Sequence, residues 1–372
     1  MTNRELRLRA DVVAEVCAEL LADLPRADQR QLGERYITGL LTVDGRKSIR
    51  RIAGAGGGPL EQSLHHFISK SAWDWIPVRR RLAAYLERVM APDAIVVSQL
   101  SIPKSGPHSV GVARGFDPVV GRTVNRQLAS GLWLAASQAA CPIDWQLFLP
   151  SEWMADTQRR SRADIPSDAR AADLVQGALD AVTSVAPGWG LPPYPIVWDL
   201  RDGPALRVAG ALAGRDLPFL LAVSGSTKIP GSGSLVRQVI GAPAGRQPVL
   251  WRDSATGSAR QSLTATATVP LPGAKSSPVA AVGVWHRAQR WPTELWLTNL
   301  PTGPMPMLLR IGRLADRVAA ELADASTRVG LQGFEGRSFR GWHHHVTLAS
   351  VAQAIRTRAP FHDSCAISRL AI

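Results

Sequence analysis

The hydrophobic pattern changes period near Pro92, and this constrains the fold more than any other feature of the chain. Before that point, Leu6, Val13, Val16, Leu20 and Leu21 recur at helical spacing in a run that Asp23-Leu24-Pro25 ends. Three more helices are expected over about 28–42, 60–70 and 76–90. After it, Ala94-Ile95-Val96-Val97 is a short β-branched apolar run of the kind a buried strand needs. Val110–Ala113, Leu128–Ala136, Trp145–Leu149, Tyr194–Trp198 and Phe219–Val223 read as further strands, with helices over 168–184 and 204–213. Residues 224–304 are rich in Ser, Thr and Gly, and helices return over 306–326 and 342–357. The expected class is α/β. A helical region (1–92) precedes a core (93–223 and 305–372) that a β-rich insertion (224–304) interrupts.

Charge narrows the partners. The 372 residues carry 43 Lys and Arg against 30 Asp and Glu, a net charge of +13. That balance is a frequent footprint of proteins that bind phosphate backbones. No apolar run approaches the ~20 residues of a membrane span, and the charged N-terminus has no signal core, so a cytoplasmic protein without a membrane partner is expected. Cys17, Cys141 and Cys365 lie too far apart for a metal finger. The glycine-rich stretch Ala53–Pro59 lacks the Gly-Lys-Ser/Thr ending of a phosphate-binding loop. His343-His344-His345 is no chelating cluster, because neighbours on a helix point about 100° apart; packing or DNA-facing roles are expected instead. Most of the 12 tryptophans, Trp145, Trp198 and Trp296 among them, lie in apolar strand runs and are expected in the core.

Several segments carry a family resemblance. They are Arg35-Tyr36 with Gly39-Leu40-Leu41 and Asp44-Gly45-Arg46-Lys47-Ser48; Leu64-His65-His66-Phe67 with Trp73-Asp74; and Pro103-Lys104 through Val110-Gly111-Val112-Ala113-Arg114. Asp144-Trp145 through Pro150, Gly330-Leu331 and Phe334–Leu348 follow in the same order. Together they resemble the cut-and-paste DDE transposases of bacterial insertion sequences, in the branch that can be called IS-seven-oh-one-like. The resemblance implies a ribonuclease-H-like core in which two Asp and one Glu hold two Mg²⁺ ions for cleavage and joining of DNA.

Carried over residue by residue, that acid set is degenerate. The position before Pro103-Lys104 holds Ser98 and Gln99 instead of a carboxylate. The second acid falls on Asp199, expected as a vestige or as a helix cap. Counting back from Gly330-Leu331 puts the third on Ala319, with Glu321 two residues away. The resemblance therefore implies a transposase-derived protein that binds double-stranded DNA without cutting it, reused in regulation and associated with the nucleoid. No cofactor or metal is expected. Two alternatives stand beside it: an active transposase, needing Mg²⁺, with a rearranged set (Asp199, Asp202, Glu321), and a protein-binding scaffold. A homodimer is compatible with each. The candidate phosphate contacts are Arg46, Lys47, Arg50, Arg51, Arg79, Arg80, Arg81, Lys104, Arg122, Arg126, Arg159, Arg160, Arg337 and Arg340.

Overall fold

The computed structural model describes residues 3–54, 58–117, 120–169, 173–230, 232–241, 245–253, 256–271, 278–286 and 289–368. Residues 55–57 of the glycine-rich stretch lie outside them. Five helices come first: α1 (Asn3–Leu20), α2 (Ala27–Thr42), α3 (Ile49–Ala53), α4 (Pro59–Ser69) and α5 (Trp75–Met90). Local chemistry sets their ends. The Ser48 hydroxyl accepts from the Arg51 amide at the start of α3, and the Asp74 carboxylate accepts from the Ile76 amide at the start of α5. Ala91, with φ +44°, turns the chain out of α5 into the sheet.

The core follows as β1 (Ala94–Pro103), β2 (Ala113–Asp117), β3 (Arg122–Ala135), β4 (Ala140–Leu147), α6 (Ser151–Ala155), α7 (Thr157–Arg162), α8 (Leu174–Gly188), β5 (Ile196–Asp199), α9 (Ala205–Ala213) and β6 (Phe219–Ala222). The insertion contributes α10 (Val236–Ile240), β7 (Gln247–Arg252), β8 (Ala259–Val269), β9 (Val279–Trp285) and β10 (Glu294–Thr298). The chain closes with α11 (Met305–Gly312), α12 (Leu314–Arg328) and α13 (Phe339–Ser368).

All ten strands form one sheet in the order β2-β3-β1-β5-β6-β10-β9-β8-β7, with β4 also paired to β3. Strand β3 runs antiparallel to both β4 and β1, while β5 and β6 run parallel to β1. That arrangement is the ribonuclease-H-like core. β10 pairs antiparallel to β6, so the insertion lengthens the core sheet instead of forming a second one.

Helix α13 is the hub. From Gly341 to Ile355 every residue is buried, because α2, α4 and α5 cover one side and β4 the other. A helix without a solvent face must be apolar around its circumference or pair its polar groups internally. This one does both. Trp342, Val346, Leu348, Ala349 and Val351 fill the core, and the three histidines are held by hydrogen bonds and ring contacts.

Three expectations need correction. The strand placed over Val110–Ala113 begins at Ala113 instead. Gly111 takes φ +70° and the Val112 amide bonds back to Ser109 O, so the preceding residues form a turn. The start of β3 at Arg122 escaped notice because its first residues are polar. The helix expected over 306–326 is two helices with Arg313 between them.

Candidate active site and nucleic-acid interface

The sheet register brings the ancestral acid positions together. Val97 of β1 lies opposite Trp198 of β5, and extending that parallel register by one residue sets Ser98 beside Asp199. Ser98 Oγ is buried and has no hydrogen-bond partner among the described residues. It supplies a neutral oxygen where the pattern calls for a carboxylate. Gln99, the next residue, is exposed.

Asp199 is engaged by its own turn. Arg201 Nε donates to Oδ1 at 2.9 Å and to Oδ2 at 3.1 Å, Arg201 Nη2 also reaches Oδ2, and the Arg201 amide donates to Oδ1 at 3.1 Å. Partial burial works against ionisation of Asp199, but the Arg201 hydrogen bonds and charge outweigh it and hold the carboxyl below its ordinary range. Asp199 is thus an anion whose two oxygens are both taken.

Helix α12 packs across β1 and β5, as the third acid position requires. Ala319 is exposed on it. Glu321 turns away from the β5 end and accepts from Gln353 Nε2 of α13 at 3.0 Å. Burial raises its pKa, and Asp324 adds to the rise. The rearranged set built on Glu321 is therefore not assembled. Asp316, one turn before Ala319, lines the same cleft of about 530 Å³ as Asp199, Asp202 and Glu294. Sequence counting missed it. Its signal was a carboxylate one helical turn before the expected position, hidden by the unforeseen break at Arg313.

This acidic cleft is neutralised from within. Arg313 pairs with Glu294 and, at 3.2 Å, with Asp316; His286 Nε2 lies 2.6 Å from Glu294 Oε1. Among the described residues, no three His, Cys, Asp or Glu side chains are placed to hold a metal together. A Mg²⁺ pair needs bridging carboxylate oxygens. Here Asp199, Asp316 and Glu294 are paired with arginines and Ser98 offers no charge. The described residues do not fit the metals.

The candidate phosphate contacts divide sharply. Arg79 is buried at 1% exposure and makes no surface contact. Its Nη1 bonds Asp144 Oδ1 at 2.6 Å and Trp145 O at 3.0 Å, its Nε bonds Thr347 Oγ1 at 2.8 Å, and its Nη2 meets His343 Nδ1 at 3.0 Å. Burial lowers its pKa and the Asp144 carboxylate opposes that. Position in the apolar stripe was the overlooked signal, since Arg79 falls four residues after Trp75 and three before Leu82.

Lys47 is also buried, bonded to Val43 O and packed against Gly330. Gly330 has φ +65°, and a Cβ there would lie 2.5 Å from Lys47 Cγ, so no other residue fits. Lys104 Nζ donates to Phe334 O at 2.7 Å, and burial pushes its pKa down to about 8. Arg46 pairs with Glu335, Arg81 with Asp23 and Arg159 with Asp156. Arg160 and Arg340 bond backbone carbonyls. Arg50, Arg51, Arg80, Arg122 and Arg337 are exposed and have no ion-pair partner among the described residues. Arg126 is half-buried. His343, His344 and His345 are all buried, which excludes the DNA-facing role and leaves packing. Trp145, Trp198 and Trp296 are core residues, as expected.

Asp199 thus ends β5 beside β1, under α12, in a sheet ordered β4-β3-β1-β5-β6. A family model described as DDE superfamily endonuclease matches residues 19–297. The chain belongs to the DDE superfamily endonucleases. A search of the curated proteins finds no match. Asp199 lies at the carboxyl end of β5, which runs parallel to β1 and β6.

Proposed function

We propose that this DDE-superfamily chain is a double-stranded DNA-binding protein that does not cut DNA, reused in regulation and associated with the nucleoid. The observation that carries this reading is the grip of Arg201 on Asp199, beside a neutral Ser98. A guanidinium occupies the acid that a metal would need, and nothing charged faces it from β1. The DNA part rests on the family, the net charge of +13 and the exposed, unpaired arginines. No helix among the described residues is long and apolar enough to cross a membrane.

A second reading, an active endonuclease, draws on Asp316 and Asp202 lining the same cleft as Asp199. Two assays separate the readings. Duplex affinity should fall steeply between about 50 and 200 mM salt. Strand cleavage with Mg²⁺ or Mn²⁺ should be absent. Metal-dependent cuts that vanish in Asp199→Ala would establish the active reading; duplex affinity indifferent to salt would remove the DNA reading and favour a protein-binding scaffold, monomeric or dimeric.

A further inference from the structure

The hairpin of β2 and the start of β3 projects beyond the sheet. β1 ends at Pro103, opposite Arg126, so Arg122, Thr123 and Val124 find ladder partners only on β2. The result is a two-stranded ribbon at the sheet edge. Exposure alternates along its β2 strand. Asp117 points inward and accepts from Ser101 Oγ at 2.6 Å, while Arg114 and Phe116 point outward. The register sets Asn125 opposite Arg114 and Thr123 opposite Phe116. Side chains directly opposite each other in an antiparallel pair share a face. Arg114, Phe116, Thr123 and Asn125 therefore form one outer surface. Phe116 presents a large apolar ring there, 59% exposed. Neither Arg114 nor Arg122 has an ion-pair partner among the described residues. On the inner face the Arg126 guanidinium lies over Gly115, where a Cβ would sit 3.1 Å from Arg126 Nε.

We propose that this ribbon enters the DNA major groove and reads base sequence with its outer face, an inference that rests on the duplex-binding function above. Three considerations support it. A two-stranded ribbon matches the ~12 Å width of the major groove, which admits either a helix or such a ribbon. The four side chains are base-reading types: Arg pairs with the two acceptors of guanine, Asn with the donor and acceptor of adenine, and Phe and Thr pack on the thymine methyl. Finally, the charge is complementary. Arg114 and Arg122 bring unpaired positive charge to the same projection, so phosphate attraction and base contact act together. Phe116 then finds an apolar partner that the protein does not provide.

The test is selection of bound duplexes from a random-sequence pool at fixed salt. It uses the full chain as wild type, Arg114→Ala, Asn125→Ala and Phe116→Ala. The wild type should enrich a short motif. Arg114→Ala should relax the preference at a guanine and Asn125→Ala at an adenine, each by roughly 5- to 150-fold in discrimination. Phe116→Ala should relax it at a thymine by less. Affinity for unselected duplex should change by no more than a few-fold, and thermal midpoints should hold, because all three side chains point away from the core. The inference is overturned if the variants select the unchanged wild-type motif, or if the wild type binds duplex with no preference. It is also overturned if the variants change the oligomeric mass and leave the motif intact, which would make the ribbon edge a contact between copies of this chain. A wild type that binds no duplex at all would remove the proposed function itself, and this inference with it.

Discussion

Two Arg–Asp pairs in this molecule have the same chemistry and opposite consequences. Arg79–Asp144 is sealed, at 1% and 2% side-chain exposure, whereas Arg201–Asp199 stands open at 67% and 44%. The sealed pair ties α5, β4 and α13 together through Thr347, His343 and the Trp145 carbonyl. Each of its ions lost its water on folding, so neither tolerates loss of its partner. The open pair keeps much of its hydration and adds little to stability. Its effect is chemical, since the guanidinium engages both oxygens of the carboxylate that ends β5. Burial therefore decides whether an ion pair works as a structural tie or as a plug in a site.

Acid should break the sealed region first and most strongly. Burial holds His344 and His345 down to about 4 and also keeps His343 well below the ordinary value near 6.5. The unfolded chain takes up protons at a pH where these folded side chains remain neutral. Stability is then complete above about pH 6.5 and drains as pH falls toward 4, by roughly 3 kcal/mol for each of His344 and His345 at pH 4. Urea denaturation across that window checks it, and a flat profile would contradict the burial of these rings.

Removing half of the sealed pair comes next. Arg79→Ala strands the Asp144 carboxylate in the core and should cost about 3–5 kcal/mol in denaturant unfolding. The double change Arg79→Met with Asp144→Leu should recover most of that loss. If the double variant is as unstable as the single one, packing and not charge holds the junction. A cluster substitution of Arg79, Arg80 and Arg81 would conflate this loss with any effect on DNA, so Arg80→Ala alone is the informative surface change.

Breaking the open pair should barely register in stability. Arg201→Ala is expected to shift unfolding by no more than about 1 kcal/mol. Its consequence lies elsewhere, because the Asp199 pKa should rise toward the ordinary carboxylate range once the guanidinium leaves. A carboxyl titration followed by NMR would show this, and an unmoved pKa would mean that Arg201 is not its partner. Mn²⁺ titration of the same variant would report whether the freed acid takes up a metal.

How much of this was legible in the sequence follows from where each signal resides. The helical region and strands β1, β5 and β6 declare themselves because burial writes period and β-branching into the residues themselves. Asp199 was placed because β5 ends there in a short apolar run. The β2–β3 ribbon was not legible. Its residues alternate Arg, Gly, Phe and Thr, Val, Asn with too little apolar content to mark a strand, and only the ladder shows that it is one. Arg79 was misjudged for a different reason. Three consecutive arginines look like a surface cluster, yet successive helical positions turn by about 100°, so the three point in different directions and Arg79 is the one that meets the core. Asp316 depended on spacing through a helix break, and counting along the chain cannot see a break.

The way β10 returns beside β6 has a consequence for descent and for engineering. Ala222 at the end of β6 pairs with Trp296, and the Val223 amide bonds Leu295 O, so the chain comes back to the sheet next to where it left. Topologically the whole excursion is one enlarged hairpin loop. The cost of closing a flexible loop grows only about as the logarithm of its length, so the core sets no fixed size for what hangs between these two strands. Additions and trims can accumulate there while β4-β3-β1-β5-β6 keeps its order, with β10 held as the strand that caps the core whenever the rest is shortened.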